Sequence, residues 1–123
     1  MSRRHRPDGY NSVSPYLIVD GADVTIAFLE RVFGAVSLRR VPREDGRIMH
    51  AEVRIDDTVL MLADADPPNW PAIHSNVHVY VSDVDAVHAR AVEAGAESVQ
   101  APVRKDDDDR RGACAMPVAP RGG

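Results

Sequence analysis

The chain says nearly the same thing twice, and that repetition constrains its fold more than any other feature. "SPYLIVDGADVTIAFLERVFGA" (Ser14 to Ala35) and "SNVHVYVSDVDAVHARAVEAGA" (Ser75 to Ala96) share one rhythm. A β-branched and aromatic run meets a turn, an amphipathic helix follows, and a glycine closes it. In the first copy "VSPYLIV" (Val13 to Val19) reads as a strand. Asp23 or a neighbour can cap a helix from about Val24 to Phe33, and Gly34 supplies the stop. In the second copy "NVHVYV" (Asn76 to Val81) reads as a strand with Val77, Val79 and Val81 on one face. Ser82 or Asp83 can cap a helix carrying Val84, Val87 and Ala91, closed by Gly95.

Each copy runs on into further strands. After the first helix come "SLRRVPR" (Ser37 to Arg43), a turn at Asp45-Gly46, and "RIMHAEVRI" (Arg47 to Ile55). The last alternates cleanly, with Met49, Ala51, Val53 and Ile55 on one face and His50, Glu52 and Arg54 on the other. "TVLMLAD" (Thr58 to Asp64) completes a βαβββ unit. The second copy offers "ESVQAPVR" (Glu97 to Arg104) and then "DDDDRRGACAMPVAPRGG". Four consecutive aspartates repel and prefer water, and "ACAMPVA" makes at most one poor strand because Pro117 interrupts it. The expected organisation is therefore a loose tail over 1–8, a first βαβββ module over 9–66, a linker over 67–74 and a second, incomplete module over 75–123. The two modules form one α+β domain, since neither covers its sheet alone.

Composition narrows the partners. Net charge is −4 with a pI near 5.7, and the 15 basic side chains are scattered, which argues against nucleic acid. The basic start, with Arg3, Arg4 and Arg6, is followed by no apolar stretch of a secretory leader, and no run is long enough to cross a membrane. Cys114 is the single cysteine, so no internal disulfide forms. A cytoplasmic protein is expected.

The segments "PYLIVDGADVTIAFLERVFGA", "GRIMHAEVRIDDTVLMLAD" and "VHVYVSDVDAVHARAVEAGA" together resemble the glyoxalase/bleomycin resistance protein/dioxygenase (vicinal oxygen chelate) superfamily, and most of all its PhnB-like subgroup. The resemblance runs from about Gly9 to Val103. It implies two βαβββ modules whose mixed sheets form a cup around a small-molecule site, the second module being incomplete at its C-terminus. The superfamily's metal enzymes draw ligands from the first and last strands of each module. The matching positions here are Ser14, Met61 and Asn76, and the fourth lies in a closing strand that the chain lacks. A hydroxyl, a thioether and an amide are poor ligands for a divalent ion. A glyoxalase-type isomerase or extradiol dioxygenase is therefore disfavoured, and no cofactor is expected.

Strand parity supplies the rest. Asn76, His78 and Tyr80 share one side of their strand, as do Ser14, Tyr16 and Ile18. His50 and Glu52 emerge together from theirs, a pattern that can hold a metal, serve as acid and base, or merely line a wet face. His78 with Tyr80 is the best polar contact for a ligand, although a histidine there is more commonly a wall residue. Trp70 either stacks on a planar ligand or pins the linker down. The expected ligand-binding set is Ser14, Tyr16, Met61, Trp70, Asn76, His78 and Tyr80, with no catalytic residue assigned. The leading function is binding of a small molecule in the cup without metal and without turnover. The alternative is a metal-dependent lyase, isomerase or dioxygenase with a displaced site built from His50, Glu52 and His78. A third reading is that the atypical C-terminal stretch, truncated or frame-shifted, leaves the domain without function. The unclosed sheet edge, and the dimers common in the family, point to a homodimer.

Overall fold

The computed structural model describes residues 5–104 and 110–117. The poly-aspartate stretch and the final "PRGG" of the sequence lie outside the described residues, as do Arg3 and Arg4. The first repeat forms β1 (Tyr16–Val19), α1 (Ala22–Phe33), β2 (Val36–Pro42), β3 (Ile48–Ile55) and β4 (Thr58–Asp64). The four strands make one mixed sheet in the order β1-β4-β3-β2, with β1 and β4 parallel and the other pairs antiparallel. The second repeat contributes α2 (Val84–Glu93), β5 (Glu97–Arg104) and β6 (Arg110–Ala115), the two strands pairing antiparallel in a separate sheet. The architecture is α+β, with a complete βαβββ module followed by an incomplete one.

Apolar periodicity decides which sheet face α1 covers. Ile26, Leu29 and Val32 on α1 meet Leu17, Ala51, Val53, Leu60 and Leu62 in the buried core. Since neighbours along a strand point oppositely, Tyr16, Glu52 and Met61 are left on the other face. Gly34 ends α1 in the left-handed region at φ 68°, where its N–H donates to the carbonyl of Glu30 at 3.0 Å and that of Ala35 to Leu29 at 3.2 Å. The two helices are tied by Arg90 of α2, whose Nε and Nη2 donate to the Val32 carbonyl at 3.0 and 2.7 Å. That carbonyl belongs to the last turn of α1, where the helix itself supplies no donor.

Three local expectations are corrected. The start of α1 is not capped by Asp23. Gly21, at φ 84°, turns the chain so that its own N–H and that of Ala22 donate to Asp64 Oδ1 at 3.1 and 2.8 Å, while Asp64 Oδ2 accepts from Ile48 N at 2.7 Å. A carboxylate at the far end of β4 thus does the work of a cap. Second, the alternation of β3 breaks at Met49: the pairing steps from Val41 with His50 to Pro42 with Ile48, so Met49 is the extra residue of a bulge. Met49 is accordingly exposed and Ile48 buried.

The third correction is the largest. Residues 76–81 form no strand. In the first module β1 is held by a parallel ladder to β4, and the second module has no counterpart of β4 among the described residues to hold its own first strand. The pattern of that segment survives without the ladder: Val79 packs on the core while Tyr80 is 85% exposed. Asp83, by contrast, caps α2 as expected, its Oδ1 accepting from Ala86 N at 3.0 Å. The stretch 110–115 does pair with β5, ending ahead of Pro117.

Candidate functional site

The face of the first sheet left uncovered by α1 carries a row of side chains set by register. Tyr16 lies opposite Met61, Met61 opposite Glu52, and Glu52 opposite Arg39. Residues paired in this way project to the same side. The register slip between Ser37 and Arg39 brings Arg39 beside Glu52. His50, two residues before Glu52 on β3, joins the group.

Three of these, Glu52, His50 and Tyr16, form one continuous array with Tyr10. Glu52 Oε1 accepts from the hydroxyl of Tyr10, and Glu52 Oε2 lies 2.8 Å from His50 Nε2. His50 Nδ1 lies 2.9 Å from the Tyr16 hydroxyl, with the two ring centroids 5.6 Å apart. Glu52 is buried at 6% exposure, His50 is half-buried, and Tyr16 is 47% exposed. The array therefore runs from a buried carboxylate outward to a solvent-facing phenol.

Tyr10 arrives on the segment ahead of β1, which is stitched down rather than draped. Its N–H donates to the Pro7 carbonyl at 3.2 Å, Arg54 Nη2 donates to the Gly9 carbonyl at 3.1 Å, and Asn11 Oδ1 accepts from Val59 N at 3.1 Å. Electrostatics follow the geometry. The Tyr10 hydroxyl is the strongest influence holding the Glu52 carboxyl below the usual carboxylate range, with His50 and Arg39 adding to it against the effect of burial. The same hydrogen bond raises Tyr10, and burial followed by the charge of Glu52 raises Tyr16. The array thus sets a carboxyl held low beside two phenols held high.

Of the residues expected from sequence, the structure brings together Tyr16, Met61, His50 and Glu52. Ser14 sits half-buried just before β1. Asn76 and His78 are exposed on the segment that follows the linker. His78 and Tyr80 touch each other edge to face, with centroids 4.7 Å apart. Trp70 is 63% exposed, its backbone paired with Asp66, and Ile73 N donates to the Ile18 carbonyl at 3.1 Å, which sets this segment against β1. Sequence reasoning missed Tyr10 and Arg39. Tyr10 follows an Asp-Gly turn in what reads as a frayed start, and Arg39 reaches Glu52 only through a register slip. Neither carries a local signal. Cys114 is half-buried, and burial raises its thiol.

A divalent ion does not fit these residues. Both nitrogens of His50 and both oxygens of Glu52 already serve neighbouring side chains. Among the described residues no three His, Cys, Asp or Glu side chains converge on a common point. His78, the third ligand of the displaced-site alternative, contacts Tyr80 instead.

Comparison with known proteins agrees with this architecture. A family model described as "Glyoxalase/Bleomycin resistance protein/Dioxygenase superfamily" matches residues 9–119. An uncharacterised protein of Mycobacterium bovis is 37% identical over 116 residues, covering 86% of this chain and 76% of its own. Among solved structures, TioX from Micromonospora sp. ML1 is similar at 28% identity and TM-score 0.62, covering 85% of this chain and 86% of that one. A mutant of the fosfomycin resistance protein FosX of Listeria monocytogenes, solved with Mn(II) and a dihydroxypropylphosphonic acid, shares the fold at 15% identity and TM-score 0.59, covering 84% and 83%.

Proposed function

We propose, for a chain that belongs to the glyoxalase/bleomycin resistance protein/dioxygenase superfamily, that it binds a small organic molecule on the open face of its first sheet without a metal ion and without turning it over. The observation that carries this reading is the Tyr16–His50–Glu52 array. It presents an ordered polar edge beside the apolar surface of Met61 and Ile18, and its potential metal donors are consumed by one another. Apolar and aromatic surface supplies affinity, and the Tyr16 hydroxyl fixes orientation. Ser14, Trp70, Asn76, His78 and Tyr80 belong to the same reading as walls contributed by the flanking segments. The PhnB-like placement rests on the sequence resemblance alone.

A homodimer in the cytoplasm completes the proposal. Trp70, Ile73, Val77 and Tyr80 are exposed along the stretch leading through 76–81, which forms no strand, a surface suited to a second chain. No helix among the described residues is long and apolar enough to cross a membrane.

The test is a thermal-shift screen of small aromatic and aliphatic compounds, run with EDTA and repeated with Mn(II) or Zn(II). Stabilisation by a compound that is unaltered by EDTA, and weakened about fivefold by Tyr16→Phe, supports the reading, since one hydrogen bond is worth about 1 kcal/mol net. Binding that requires the ion returns the protein to the metal-dependent lyase, isomerase or dioxygenase class.

A further inference from the structure

Assigning protons along the array leaves one oxygen facing solvent with only lone pairs to offer. The ionised Glu52 carboxylate can only accept. Its Oε1 takes the Tyr10 hydroxyl and its Oε2 sits 2.8 Å from His50 Nε2, so that nitrogen carries hydrogen. When the ring carries a single proton, that proton sits on Nε2, Nδ1 is an acceptor, and the Tyr16 hydroxyl 2.9 Å away donates to it. With its proton turned inward, the hydroxyl oxygen of Tyr16, a residue 47% exposed, can meet a ligand only as an acceptor.

We propose that this site selects ligands through a weakly acidic hydroxyl, of the phenol or enol class, which donates to Tyr16 Oη and passes its proton inward to His50. This rests on the small-molecule reading above and names the chemistry of its ligand. In the transfer the ligand O–H bond breaks and Tyr16 Oη takes that proton. The original Tyr16 proton moves to His50 Nδ1. The products are a ligand oxyanion, hydrogen-bonded by a re-formed Tyr16 hydroxyl, and an imidazolium held between Tyr16 and Glu52. Two protons shift one place each, no electrons are exchanged and nothing leaves.

The charged and titratable groups around the array favour that outcome. Tyr16 stands on β1, His50 and Glu52 on β3, Arg39 on β2 opposite Glu52, and Tyr10 on the N-terminal segment. Met61 of β4, between them, is uncharged. The Glu52 carboxylate offsets the imidazolium, and Arg39 leaves the neighbourhood receptive to a new anion. Glu52 and Tyr10 touch no ligand in this scheme. They are positioning residues that fix the His50 tautomer and keep the carboxylate ionised.

The experiment uses 4-nitrophenol, whose anion is coloured, and 4-nitroanisole, the same shape without the acidic proton. With the wild-type protein, near the free probe's own titration midpoint, bound nitrophenol is expected to be more ionised than free probe. Its apparent pKa should fall by about one unit, a tenfold shift in the ionisation equilibrium. Nitroanisole should bind at least about tenfold more weakly. Tyr16→Phe should erase the preference for the phenol, and His50→Gln should retain binding while losing the ionisation. Glu52→Gln should behave as His50→Gln does; because Glu52 is buried and that variant risks unfolding, the half-exposed His50 variant decides. Equal binding of the two probes, or ionisation that persists in His50→Gln, overturns the inference while leaving small-molecule binding intact. Failure of the wild-type protein to bind either probe overturns the inference, while the small-molecule reading is decided by the thermal-shift screen.

Discussion

Asp64 satisfies three backbone N–H groups that would otherwise be stranded between α1 and the start of β3. Its own carbonyl accepts from Arg43 Nη2, and the neighbouring carbonyl of Ala65 accepts from Arg43 Nη1 at 3.4 Å. Loss of a cap and a buried acceptor together gives Asp64→Ala an expected cost of about 3 kcal/mol, read as a lowered urea midpoint with unchanged slope. Asp23 makes a useful contrast: it pairs with Arg40 at 3.0 Å, both side chains exposed, and its removal should be nearly silent. Glu52 adds a pH dependence of definite sign. The folded state holds its carboxyl low, chiefly through Tyr10, so the stabilisation is present above the ordinary carboxylate range. It is lost as pH falls through the lowered folded value. The stability gap between wild type and Tyr10→Phe should therefore be constant near neutrality and close in acid. Urea unfolding at a series of pH values checks this, and a gap that widens in acid would contradict the array.

Single elements show what was legible in the sequence and what was not. β4 and β5 match their expected limits, because Asp56-Asp57 and Gly95 punctuate them sharply. β1 begins three residues later than expected, after Pro15, which has no N–H for a ladder. The cap of α1 carries no local signal because its acceptor lies 42 residues away on β4. His50 and Glu52 were legible as a pair from i, i+2 parity, but their bond to one another and to Tyr16 depended on which strands β3 and β1 flank. Residues 76–81 carry a strand's alternation without a strand, since propensity cannot supply a missing neighbour. The coupling of α1 to α2 through Arg90 was invisible for the same long-range reason. Arg90→Met keeps the aliphatic stem but strands the Val32 carbonyl, and should cost about 1–3 kcal/mol in thermal or urea unfolding.

Among the described residues one complete βαβββ module carries the ordered site and the second shows fewer strands. The polar array lies wholly on the first sheet and its N-terminal strap, and Asn76, His78 and Tyr80 come from the segment after the linker. A second chain laid on 70–80 would cover this exposed surface. Light scattering after size exclusion should accordingly report a dimer at micromolar concentration, with amides of 76–81 exchanging faster on dilution to monomer. The reading of the site turns on whether its nitrogen and oxygen donors serve each other or an ion. Calorimetric titration of untagged, EDTA-treated protein with Mn(II) and Zn(II) addresses that directly. The expected result is no stoichiometric binding of either ion. One tight equivalent, abolished by His50→Gln, would contradict it.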